Sequence, residues 1–131
     1  MKTRLYEPED YAVISPWWVG HAGSLVPEDV LPKCGVVTES DDGMPLAAAW
    51  LYMDNSVGVA WMSWLVSNPD VGPIKAAKAI GVLLEALEEL CKEFNYGVMF
   101  TMTDQKGLGQ FLSRKGFTAN HSGMTQYFKK V

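Results

Sequence analysis

Between residues 57 and 103 the sequence reads strand, long helix, strand, and that order leaves few folds open. The stretch Val57–Ser67 alternates Val57, Val59, Trp61, Ser63 and Leu65 with Gly58, Ala60, Met62, Trp64 and Val66. Both faces are largely apolar, as expected of a central strand covered on each side. From about Pro73 to Tyr96, Ile74, Ala77, Ile80, Leu84, Leu87, Cys91 and Phe94 recur every three or four residues, which predicts one apolar helical face. Gly72 and Pro73 suit an N-cap and a first helical position. Glu88 and Lys92 stand as an i,i+4 pair, and Gly97 is expected to end the helix. Val98–Thr103 then reads as a strand. A strand that returns after such a crossover lies parallel to the first, with a right-handed connection.

Around this unit the chain predicts a mixed α/β sheet with helices on both faces. Thr3–Tyr6 reads as a short strand, and Pro8, Glu9 and Asp10 as the first turn of a helix carrying Tyr11, Ile14, Trp17 and Trp18. Pro16 is expected to break or restart that helix. Val26–Leu31 has room for one helical turn. Strands Gly35–Glu39 and Leu46–Met53 flank the Asp41-Asp42-Gly43 hairpin signal, and Asp54-Asn55-Ser56 turns into the central strand. Short turns make these neighbours antiparallel. After residue 103 the pattern predicts a helix over Leu108–Lys115 and strands at Phe117–Asn120 and Met124–Lys130.

Composition bounds the function. A chain of 131 residues with 48% hydrophobic and 20% charged residues is one ordinary globular domain, residues 1–131. A net charge of −4 lacks the positive field that a general nucleic-acid or membrane-surface binder needs. The longest mostly apolar stretch, Val57–Val66, is too short to span a bilayer, and the N-terminal residues contain no apolar signal-peptide core. Cys34 and Cys91 show no metal-ligand spacing, so no metal site is expected. Cys91 falls on the helix stripe as a small buried hydrophobe. Two cysteines without a paired or ligand motif are expected of a cytoplasmic protein.

The run Trp64-Leu-Val-Ser-Asn-Pro69, the helix segment Ile80–Leu90, the strand Val98–Thr103 and Gly107-Leu-Gly-Gln-Phe-Leu-Ser-Arg-Lys-Gly-Phe117 together resemble a GNAT (GCN5-related N-acetyltransferase) domain. The resemblance runs from about Gly35 to the C-terminus and rests on order and spacing more than on any one motif. It implies a GNAT-like fold with one splayed parallel strand pair, acetyl-CoA as cosubstrate, a small-molecule or peptide amine as acceptor, and a protein that can act as a homodimer. It also implies cofactor contacts from Leu65, Val66, Ser67 and Asn68 along the splayed pair, and from Gln105 and Phe111 around the closing helix. Three positions depart from the family. Its glycine-rich phosphate loop is replaced by Lys75-Ala-Ala-Lys-Ala-Ile80. A tyrosine that serves as general acid is replaced by Leu112. A glutamate on the strand before the long helix is missing from Val57–Val66. Small phage-encoded GNAT-like proteins are similar in carrying a tryptophan pair near the N-terminus and Ser-Asn-Pro after the central strand without the glycine loop.

Several residues therefore stand out. Lys75 and Lys78 oppose the dipole at the helix start; they either meet a pyrophosphate or are plain solvated lysines. Trp18 and Trp64 could wall an acceptor cleft in which a ring face meets an amine, or could simply pack in the core. His21 and Glu39 compete as general base, since imidazole changes charge near neutrality and a strand-end carboxylate can accept a proton. The plain alternatives are a loop histidine and a solvated acid. With the glycine loop gone, an acyltransferase and a GNAT-like binding or assembly module without chemistry both remain open.

Overall fold

The computed structural model describes residues Met1–Val131. In chain order it contains β1 (Lys2–Leu5), α1 (Tyr11–Ala22), β2 (Gly35–Glu39), β3 (Pro45–Met53), β4 (Val59–Ser67), α2 (Pro73–Glu93), β5 (Val98–Phe100) and α3 (Lys106–Arg114), with 3-10 turns at Pro8–Asp10 and Glu28–Val30. The chain divides into two compact units, Met1–Thr101 and Met102–Val131.

The first unit holds a five-stranded sheet in the order β1-β2-β3-β4-β5. The first three pairings are antiparallel and β4–β5 is parallel, with α2 as the crossover. The expected topology of this region is therefore observed. The turn between β2 and β3 closes through Gly43, whose φ of 87° suits a residue without Cβ. On β2, neighbouring residues face opposite ways. The Thr38 hydroxyl donates to the Ala79 carbonyl of α2 at 3.2 Å, whereas Val37 packs in a cluster with Ile14, Trp17 and Trp18 of α1. The two helices thus lie on opposite faces, which is why β3, with Ala47, Ala48, Ala49, Trp50 and Leu51 all buried, is apolar on both sides.

Pro16 sits inside α1 without breaking it. It forgoes a bond to the Ala12 carbonyl, a loss of about 3 kcal/mol. Burial of Ile14, Trp17 and Trp18 offsets this, at about 1.5–3 kcal/mol for each large apolar side chain. The long helix is shorter than its pattern suggested. Asn95, at φ 63°, turns the chain before Gly97, because asparagine tolerates the left-handed conformation better than most residues. The two ends of the expected apolar stripe are exposed, Ile74 to 87% and Phe94 to 56%. The buried face is Ala79, Leu83, Leu84, Leu87 and Cys91. Lys92 reaches both Glu88 and Glu89 at 3.5 Å.

In the second unit α3 ends where Lys115 and Phe117 donate back to the Leu112 carbonyl at 3.0 and 3.1 Å. The strands expected at Phe117–Asn120 and Met124–Lys130 are not formed. Alternation alone cannot make a strand, since its backbone groups need a partner ladder, and no sheet pairing extends past Phe100. Tyr127 is 88% exposed. No helix of the chain is long and apolar enough to cross a membrane.

Candidate active site

Several candidate residues of the first unit gather where β4 outruns β5. The parallel ladder contains only Val59↔Val98, Ala60↔Met99 and Trp61↔Phe100. A final link comes from the Thr101 hydroxyl, which donates to the Met62 carbonyl at 3.0 Å. From Ser63 to Ser67 β4 has no strand on that side. The expected strand Val98–Thr103 is cut to Val98–Phe100, and the splay follows from that shortening.

On its other side the same stretch carries a bulge. Ala48 pairs with Val66 and Trp50 with Ser63, so Ala49 alone faces both Trp64 and Leu65. Trp64 has φ 63°, a backbone region rarely occupied by a bulky side chain. Three hydrogen bonds surround it. The Trp18 indole N–H donates to the Trp64 carbonyl at 3.2 Å. The Trp64 indole N–H donates to the Tyr52 hydroxyl at 2.8 Å, and that hydroxyl donates to the Val30 carbonyl. Nothing in the sequence pattern marks Trp64 as an outlier or Tyr52 as its partner; both read as ordinary strand aromatics.

The end of β4 is fixed by Asn68. Its backbone N–H donates to the Leu46 carbonyl at 2.8 Å, and its side-chain N–H to the Pro45 carbonyl at 3.1 Å. The Asn68 Oδ1 accepts from the Asp70 N–H at 2.9 Å, turning the chain toward α2. His21, in the last turn of α1, places Nε2 2.9 Å from the Ser67 carbonyl. A carbonyl only accepts, so Nε2 is the donor, and in the neutral form of the ring Nδ1 is the acceptor. The structure therefore brings His21 to Ser67 and Trp18 to Trp64, joining the first helix to the splayed strand.

The structure does not bring Glu39 to this end of β4. Glu39 ends β2, two strands from β4, and accepts from the Arg4 guanidinium at 2.9 Å, with Lys2 at 3.9 Å. Arg4 also grips Asp10 through two bonds of 2.8 Å, and this contact holds the Asp10 carboxyl below its usual range against the opposing effect of burial. Glu39 is thus one acid of an ion network that ties the β1–β2 edge to the start of α1. Trp18 is 6% exposed and packs 5.5 Å from Trp50, so it is a core residue and offers no ring face to a ligand. Trp64 is partly buried beside the same cluster. Lys75 and Lys78 are exposed on the first two turns of α2, whose Gly72 N-cap makes no side-chain bond. In the second unit Gln105 is the N-cap of α3, and the Phe111 ring lies under Arg114 and Lys115 at 5.9 and 5.5 Å. No cluster of His, Cys, Asp or Glu is arranged to hold a metal ion.

Compared by sequence, the chain matches no family model and no curated protein. Compared by structure, it is similar to a Trypanosoma brucei acetyltransferase, with a TM-score of 0.68 and 14% identity over 97% of this chain and 99% of that one. It is also similar to Ard1 from Thermoplasma volcanium, with a TM-score of 0.72 and 15% identity over 92% of this chain and 84% of that one. A mutant of a Thermus thermophilus protein aligns with a TM-score of 0.72 and 13% identity over 100% and 99% of the two chains. Strand order, the single parallel pair and these likenesses agree: the chain has the fold of the GNAT acetyltransferases.

Proposed function

We propose that this protein is an acyl-CoA-dependent N-acyltransferase that moves an acetyl group from acetyl-CoA to an amine. The observation that carries this reading is the notch between β4 and β5, where Ser63–Ser67 has no strand on the β5 side and carries a bulge at Trp64–Leu65. An unpaired strand edge offers backbone N–H and C=O groups to an extended, amide-bearing arm such as pantetheine, as an added strand would take them. A backbone N–H aimed at the thioester carbonyl stabilises the charge that develops there. Leu65, Val66 and Ser67 are the residues assigned to this role, and Asn68, its own backbone groups engaged by Leu46 and Val71, fixes the end of that edge. Lys75 and Lys78, at the start of α2, would meet the pyrophosphate as point charges. Acetyl-CoA supplies the activated acyl group.

His21 is the base in this reading. Its Nε2 proton is engaged by the Ser67 carbonyl, so Nδ1 takes the proton from the incoming ammonium or amine. Glu39, held by Arg4, is less suited to that task. Trp64 is a proposed contact for the acceptor.

A second reading, a GNAT-like module without chemistry, is favoured by the side chains of Lys78 and Ile80 where the fold's enzymes keep small residues, glycine first, for close phosphate approach. One experiment separates the two. A ligand that binds only the native state raises the melting temperature with concentration. Titration with acetyl-CoA should raise it; no shift at millimolar acetyl-CoA would favour the module.

A further inference from the structure

A bulky residue in the left-handed region persists only where its surroundings over-determine it, and Trp64 is such a residue at φ 63° in mid-strand. What holds it is a brace with two arms. One arm is the Trp18 indole on the Trp64 carbonyl at 3.2 Å, and Trp18 is itself locked by burial and by the Trp50 ring. The other arm is the Trp64 indole on the Tyr52 hydroxyl at 2.8 Å, which continues to the Val30 carbonyl in the segment between α1 and β2. Tyr52 sits on β3 opposite Trp61, two residues along from Trp50, so it reaches Trp64 across the strand pair without taking part in the bulge.

We propose that Tyr52 is a positioning residue of the acyl-donor site: acting through the Trp64 indole, it fixes the bulge that orients the Leu65–Ser67 edge and couples that edge to the segment joining α1 to β2. This rests on the reading of the β4 edge as the acetyl-CoA site. The geometry gives the phenol hydroxyl two partners at once, as acceptor from Trp64 and donor to Val30. A phenylalanine keeps the ring and its packing and loses both bonds. The Trp64 indole is then left without its acceptor, and one of the two arms that hold the strained backbone is gone.

Two measurements test this on the full chain. In nitrogen–proton correlation spectra of the free protein, the Trp18 indole N–H reports the position of the Trp64 carbonyl with no ligand needed. Tyr52→Phe should shift or broaden both the Trp18 and Trp64 indole signals while the melting temperature stays within a few degrees. Unchanged indole signals would overturn the proposal, even in a protein that binds no acetyl-CoA. In calorimetry with acetyl-CoA, Tyr52→Phe should weaken affinity about tenfold. Trp64→Gly, which adopts the left-handed conformation without a brace, should make affinity indifferent to Tyr52→Phe in the double variant, because coupled residues are non-additive. Additive effects of the two substitutions, or wild-type affinity in Tyr52→Phe, would overturn it. Wild-type protein that shows no binding refutes the site reading, and the indole signals alone then decide whether the brace exists.

Discussion

At the scale of single residues, the consequences of close contact are sharp. A Cβ added at Gly35 would lie 2.5 Å from the indole of Trp50 and 2.9 Å from Tyr6 Cβ. Trp50 is fully buried and has nowhere to move. Gly35→Ala should therefore lower unfolding free energy by about 1–3 kcal/mol, the range for overpacking, as read from urea denaturation. Asp10 gives a pH dependence with a definite sign. The Arg4 guanidinium lowers its folded-state pKa below the ordinary 3.8. The resulting stability is complete above that unfolded value and disappears as pH falls through the lowered folded one. Asp10→Asn should cost about 1–2 kcal/mol at neutral pH, since the pair is partly exposed. The difference between variant and wild type should vanish in strong acid. At the proposed site, His21→Gln keeps an N–H for the Ser67 carbonyl and removes the base. Thiol release from acetyl-CoA with a panel of primary amines should fall about 100-fold or more, while acetyl-CoA affinity changes less than twofold. Equal rates would assign proton removal to solvent.

At the scale of the element, α2 carries its charges in the less favourable order, with Lys75 and Lys78 first and Glu85, Glu88, Glu89 and Glu93 later. Each cation in the first turns costs about 0.3–1 kcal/mol when exposed. Packing of Leu83, Leu84 and Leu87 outweighs this. Replacing both lysines with alanine should leave the melting temperature unchanged or slightly higher. In the acyltransferase reading, acetyl-CoA affinity should drop about tenfold at low salt and much less at high salt, because exposed charges are screened. Calorimetry at two ionic strengths checks both parts. Equal affinities would make the two residues ordinary surface lysines.

At the scale of the whole molecule, the sheet orders stability. β3 is hydrogen-bonded on both edges and covered on both faces. Its amides should show the slowest hydrogen exchange in the chain, near the global unfolding limit. Residues 117–131 carry no helix or strand and should exchange within the mixing time of the measurement. Protection across Met124–Lys130 would mean that the strand read from its alternation does form in solution.

What the sequence settled by itself was local and periodic. The helical stripe of α2, the Asp-Gly hairpin and the crossover that makes β5 parallel to β4 all follow from spacing and chain connectivity, whereas the strand read at Val57–Ser67 as covered on each side forms from Val59 and leaves Trp61 exposed. Element ends were less legible. Asn95 stopped α2 before Gly97, and burial of α1 carried it through Pro16. The features of the candidate site came from tertiary structure. Pairing decides where β5 leaves β4, and a single extra residue opposite Ala49 sets the bulge. The indole and phenol bonds that hold Trp64 link residues 46, 12 and 22 positions apart. No window of sequence contains those partners together, so only the folded chain could show that Trp18 is a core residue, that Glu39 serves an ion network, and that His21 stands at the end of β4.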